Sequence, residues 1–280
     1  MQTDLASRRE ARAGLAVFFA LLTPLTLAGY WLWLRHFHLL LIFVPAIASI
    51  ATRLIRREGF RDVSFGLGKG FWRACLIALG VPLAVCVIAY GTAWGLGLVQ
   101  FAPARLPPPI PNLADPTLNF VWTVGLALIA GSLSSLPFAG GEEIGWRGYM
   151  LTRLVAAGVK RPLLVSGLIW AGWHVPLILL AAYAPGSGPP VLAALIFVVV
   201  ATAYAFVLGG LRLSSGSIWP PMLAHSAWNS LTQQAFDPAV KPGLWPWLGE
   251  SGLLQAGVTV AVVMVAMRLL PRRAMAFPYR

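Results

Sequence analysis

Residues 116–143 read PTLNFVWTVGLALIAGSLSSLPFAGGEE: 26 residues without a charge, then two adjacent glutamates. An apolar run of about 20 residues is the length at which a helix crosses a bilayer. The stretch therefore predicts a membrane helix with a carboxylate pair at its end. The same pattern repeats along the chain. Reading between charges gives seven further spans: Ala13–Leu34, Leu39–Thr52, Ala74–Gln100, two within Pro162–Leu211, Leu213–Phe236 and Ser251–Met267. Consecutive Pro and Gly residues at 184–190 divide the pair inside 162–211, because such clusters punctuate helices. Leu39–Thr52 is short, and it reaches across if Arg35 and Arg53 snorkel outward from its ends.

Composition agrees. The chain has 280 residues, 58% of them hydrophobic and 11% charged, with a mean hydropathy of +0.76. Ordinary soluble domains carry about a quarter charged residues. The net charge of +12 suggests a nucleic-acid partner only until the charges are sorted by side. With the N-terminus inside, 18 of the 21 basic residues fall on the cytoplasmic side, and only Arg35, Arg105 and Lys241 fall outside. That is the positive-inside bias of a membrane protein. The expected fold is an all-α polytopic helical bundle of about eight transmembrane helices with both termini cytoplasmic. Residues 1–280 form one integral membrane domain with a motif-bearing core at about 116–236, and the bilayer replaces nucleic acid as the partner. Cys75 and Cys86 lie about 16 Å apart along one helix, too far for a disulfide. The glycine-rich segment 66–70 fits no phosphate-binding spacing and reads as a connecting loop.

Of the nine acids, seven fall in predicted loops or ends, Glu58, Asp62, Asp237 and Glu250 among them. Glu142 and Glu143 remain. Adjacent carboxylates at a membrane boundary repel each other, which suits one of them to acid–base chemistry. On a helix Glu143 and Arg147 are four apart and face each other as an ion pair, leaving Glu142 about 100° round the helix. His174 sits within the fifth span among Trp170, Trp173 and Pro176. His225 and Asn229, four apart in the seventh, project from one face, and two donors aimed together suit an oxyanion. Each cluster alone also reads as structural: a solvated helix end, a buried hydrogen-bonding histidine, a polar contact between helices. Together they supply a base, a positioning imidazole and a donor pair, the parts of a hydrolytic site.

The order Glu-Glu-x-x-x-Arg, aromatic-x-x-x-His, His-x-x-x-Asn over residues 140–229 resembles the CPBP intramembrane glutamic endopeptidases. These comprise the type II CAAX prenyl endopeptidases and their bacterial relatives of the Abi or bacteriocin-immunity group. The resemblance implies that Glu142 activates water, His174 orients that water, and His225 with Asn229 stabilises the oxyanion. It implies that Glu143 and Arg147 hold the first motif in shape, with Glu143 also within reach of the water. Trp170 stands where the family commonly has Phe and keeps an aromatic packing role. The implied substrate is a membrane-associated peptide or protein tail, prenylated in the CAAX relatives. The implied setting is a bacterial inner membrane with the site accessible from the cytoplasmic side, and no cofactor is expected.

Three other readings stay open on the sequence. Glu142, His174 and His225 also make a His₂Glu zinc set of a membrane metalloprotease, although no His-Glu-x-x-His helix organises it. A transporter also places ionisable groups in its bundle, but it usually carries a repeat, and none is visible. A non-proteolytic scaffold or bacteriocin-immunity protein is compatible with an intact site.

Overall fold

The computed structural model describes residues 2–68, 70–180 and 188–270, with side chains from Leu5 onward. The Pro-Gly cluster is therefore described only from Gly188, and Lys69, Arg272, Arg273 and Arg280 lie outside the described residues. Among the described residues, ten α-helices run in order: α1 Gln2–Trp33, α2 Leu39–Arg56, α3 Phe71–Gly95, α4 Pro116–Leu126, α5 Ser132–Gly145, α6 Leu151–Ala156, α7 Pro162–Leu179, α8 Pro190–Ser215, α9 Trp219–Ser230 and α10 Leu253–Leu269. A two-residue antiparallel pair, β1 Gln100–Phe101 with β2 Val240–Lys241, ties the α3–α4 connection to the segment after α9. Among the described residues, six helical segments are long and apolar enough to cross a membrane. The fold is the expected all-α polytopic bundle.

Helices α4, α5 and α6 are one continuous rod over 116–156, joined by the π-wound segments Ala127–Gly131 and Trp146–Met150. Asp115 starts it by accepting the amide of Leu118 at 2.8 Å, with Pro116 in the first turn. The expected stop near Gly140 does not occur. Glu142, Glu143 and Arg147 are all buried within the bundle, so their charges are met by protein rather than by water and the helix runs on. A second boundary also shifts. Arg212, read as a separator between spans, is fully buried inside α8, and the break falls at Gly216, whose φ of +66° suits glycine.

The rod packs closely on α2 through two glycines spaced four apart. A Cβ at Gly141 would lie 2.8 Å from the Ile42 carbonyl oxygen, and one at Gly145 would lie 2.4 Å from the backbone of Pro45. Small residues at this spacing let membrane helices approach backbone to backbone. Around this contact, α1, α7 and α8 close a continuous apolar core that includes Phe18, Val44, Trp146, Tyr149 and Tyr204.

One end of the bundle is knotted by charge. Arg53 is 1% exposed, so it does not snorkel outward as α2's length suggested. It turns inward to pair with Asp62 and donates to the carbonyls of Gly59 (2.9 Å) and Gly148 (3.0 Å). Glu58 receives Arg56 (2.6 Å), Arg153 (2.8 Å) and the Tyr149 hydroxyl (2.9 Å), and Arg56 also reaches Glu10 on α1. Arg212 donates to the carbonyls of Asp62 and Arg147. Partial burial pushes the Glu58 carboxyl up, but its ion pairs and hydrogen bonds outweigh this and hold it below its ordinary range. Two acids assigned to a plain loop are thus the centre of a network joining α1, α2, the rod and α8.

Candidate active site

The first motif divides its two carboxylates between different surroundings. Successive helical residues point about 100° apart, and here that rotation separates a wall from a cavity. Glu143 is fully buried in protein. Its Oε1 accepts the Arg147 guanidinium at 2.7 Å and sits 2.9 Å from Nδ1 of His225. Glu142 faces a cavity of about 210 Å³ and accepts a hydrogen bond from the Trp170 indole Nε1 at 2.7 Å.

The same cavity is lined by His174, His225 and Asn229. His174 projects from α7 and sits 3.0 Å through Nδ1 from the Trp170 carbonyl. A carbonyl only accepts, so Nδ1 carries the proton there and Nε2 is the basic nitrogen. Trp173 and Phe197 pack edgewise or tilted on the His174 ring, with centroids 4.9 and 5.1 Å away. His225 and Asn229 come from α9, which runs into the π-wound segment Leu231–Phe236. A carboxylate likewise fixes the His225 Nδ1–H toward Glu143, leaving Nε2 as its other functional atom.

The structure therefore brings Glu142, His174, His225 and Asn229 onto one cavity and places Glu143 and Arg147 behind its wall. Trp170 does more than fill space: its N–H holds Glu142, its carbonyl holds His174, and the Arg147 guanidinium lies 4.5 Å over its ring. A phenylalanine would supply the ring and the carbonyl but not the N–H. Glu142, His174 and His225 do not form a metal-holding group, and no cluster of three His, Cys, Asp or Glu side chains does so among the described residues.

Two contributors escaped the sequence. Glu250, in the turn before α10, lines the cavity and accepts the Trp228 indole N–H at 2.9 Å. Its only signal was an acid immediately ahead of an apolar span. Gln233 lines the cavity one helical turn beyond Asn229, and its spacing from Asn229 was the available clue. Tyr204, whose hydroxyl donates to the Ala224 carbonyl at 2.6 Å, packs at a tilt on Trp228 and completes that wall.

Fold and site together define a polytopic membrane protein with a carboxylate, two imidazoles and a carboxamide gathered inside its helical bundle. Residues 116–231 match the family model described as type II CAAX prenyl endopeptidase Rce1-like, in agreement with the CPBP resemblance of the three motifs. The matched segment contains Glu142, Trp170, His174, His225 and Asn229, whereas Gln233 and Glu250 lie beyond it. A comparison with curated proteins returned no match.

Proposed function

We propose that the protein is an endopeptidase of a bacterial cytoplasmic membrane that hydrolyses a peptide bond with water activated by Glu142. The observation that carries this reading is the shared cavity: one carboxylate, two imidazoles and one carboxamide face the same buried space, while the second carboxylate stays in the wall. Water held between Glu142 and Nε2 of His174 loses a proton to Glu142 as its oxygen attacks the substrate carbonyl. His225 and Asn229 donate to the oxyanion that forms. When protonated at both nitrogens, His225 donates from Nε2 while Nδ1 remains on Glu143, which is its counter-charge. Collapse of the tetrahedral intermediate breaks the C–N bond, and the proton on Glu142 passes to the leaving amine. Glu143 acts as a positioning residue for Arg147 and His225. The side chains of this chain carry the reaction with no resident metal, so activity is expected to persist in chelator-treated, metal-free protein.

The test is a quantitative comparison of membrane peptide termini in cells carrying wild type or Glu142→Ala. New termini that require Glu142 support the reading. An identical set of termini in the two strains overturns it.

A further inference from the structure

The two ends of the bundle are unlike, and the cavity belongs to one of them. Apart from Arg147, every described Arg and Lys other than Arg35, Arg105 and Lys241 lies at the end that holds the N-terminus of α1, the C-terminus of α2 and the Arg53–Asp62 network. Among the described residues, the opposite end carries only those three cations, against Asp115, Asp237 and Glu250. By the positive-inside bias the basic end is cytoplasmic.

The cavity wall reaches the other end. Trp33 is the last residue of α1, Leu41 is the third of α2, and Leu177 is the third from the end of α7. At a rise of 1.5 Å per residue, each is within about 3 Å of a helix terminus at the non-basic end. Glu250 comes from a turn at that same end, and Gln233 lies three residues before the close of its helical segment. The lining includes no residue of the basic network. Toward the basic end, Glu143 and Arg147, each fully buried, back His225, with Arg212 bonded to the Arg147 carbonyl behind them. A second cavity of about 350 Å³ lies at the non-basic end beneath the proline-rich connection, lined by Arg105, Leu106, Phe120, Gln233 and Gln234 among others. Gln233 lines both cavities.

We infer that the catalytic cavity is loaded from the end opposite the basic face, so that its substrate is a peptide segment on the extracytoplasmic side of the membrane. This replaces the cytoplasmic access expected from the resemblance, and the substrate half of the inference rests on the proposed protease function. The extended peptide enters past Trp33, Leu177 and Glu250, presents its scissile carbonyl to Glu142 and His174, and continues past Gln233 toward the second cavity. The charge network at the other end is a seal rather than a mouth.

Single-cysteine labelling tests the route without requiring activity. In a Cys75→Ala, Cys86→Ala background, Arg57→Cys and Lys241→Cys mark the basic and opposite faces. Gln233→Cys reports the cavity, with Leu177→Cys as a second reporter should the first variant fold poorly. A membrane-impermeant sulfonated thiol reagent is applied to right-side-out and to inverted vesicles. The expected result is that the cavity reporters label several-fold faster from the side that labels Lys241→Cys. Labelling only from the Arg57→Cys side, or from neither side, overturns the inference. Cleavage of peptides supplied to one face of proteoliposomes separates the two claims. Outer labelling with no Glu142-dependent cleavage sinks the protease reading and leaves the route standing. Glu142-dependent cleavage with labelling from the basic side only does the reverse.

Discussion

The two ends of this bundle solve opposite problems with similar residues. At the basic end, Arg53, Arg153 and Arg212 are buried against Glu58, Asp62 and backbone carbonyls, and the guanidinium groups act as cross-links between helices. Toward the other end, Glu142, His174, His225 and Glu250 are each held by a fixed hydrogen bond and line a cavity. A buried charge surrounded by partners stabilises a fold only as a set, because removing one member strands the rest. A buried charge facing a cavity keeps bonding capacity for a substrate or water. Glu142 and Glu143 show the contrast at one-residue separation: the first faces the cavity and the second is locked to Arg147 and His225.

If this division is right, cavity-side substitutions should cost rate and network-side substitutions should cost stability. Glu142→Ala should lower the rate of peptide hydrolysis by about 10²–10⁴-fold, the range for a lost general base. Its thermal unfolding midpoint in detergent should stay close to wild type. A large drop in that midpoint would erase the distinction between the two glutamates. Arg53→Ala should do the opposite, destabilising the protein by about 3–5 kcal/mol, since Asp62 keeps only Arg153 as its cationic partner and two carbonyl bonds are lost. The activity of the fraction that remains folded should be near wild type per molecule. Denaturant titration alongside an activity assay reads both.

Trp170→Phe sharpens the comparison further, since it keeps the ring over Arg147 and removes only the hydrogen bond to Glu142. A bond to a charged acceptor is worth about 1.5–3 kcal/mol, which predicts roughly a tenfold or larger loss in kcat/KM. Little change in stability is expected. A fully active variant would return Trp170 to the packing role that the sequence suggested.

The smallest effect concerns Asp237, which follows the π-wound segment beyond Asn229 at the non-basic end. Burial pushes its carboxyl up to about 7, against the hydrogen bond from Tyr90 and with the added field of Glu250. The folded protein thus holds this proton more tightly than the unfolded chain, whose Asp titrates near 3.8. Stability from this group is fully present below about pH 4 and is lost as pH rises to about 7. Asp237→Asn should remove that slope. Its Tm relative to wild type should rise by about 2–4 °C per kcal/mol relieved, with the gap opening between pH 4 and 7. A constant gap across that range would show that Asp237 is already ionised.

Much of this was legible in the chain. Apolar run lengths and the asymmetry of Arg and Lys are consequences of bilayer thickness and membrane charge, which act on sequence directly. The spacing of four between Glu143 and Arg147, and between His225 and Asn229, put each pair on one helix face without further information. Other features were not legible, because they depend on which helices meet. Nothing near Arg53 in sequence said that it would turn inward to Asp62 and Gly148, and a charge at a helix end looks the same whether it meets water or a partner. Arg212 read as a boundary for the same reason. Glu250 looked like a loop acid because its partner, Trp228, is 22 residues away.

The sequence by itself determined the kind of molecule: a membrane bundle, its basic face, and four polar side chains too costly to leave in apolar helices without use. Only the tertiary structure decided which glutamate faces the cavity, that the indole of Trp170 holds it, and that the cavity reaches the end away from the basic face. Run length and charge are local properties of the chain. Where a cavity opens depends on how α1, α2, α7, α8 and α9 pack, and that is decided by contacts such as Gly141 and Gly145 against α2.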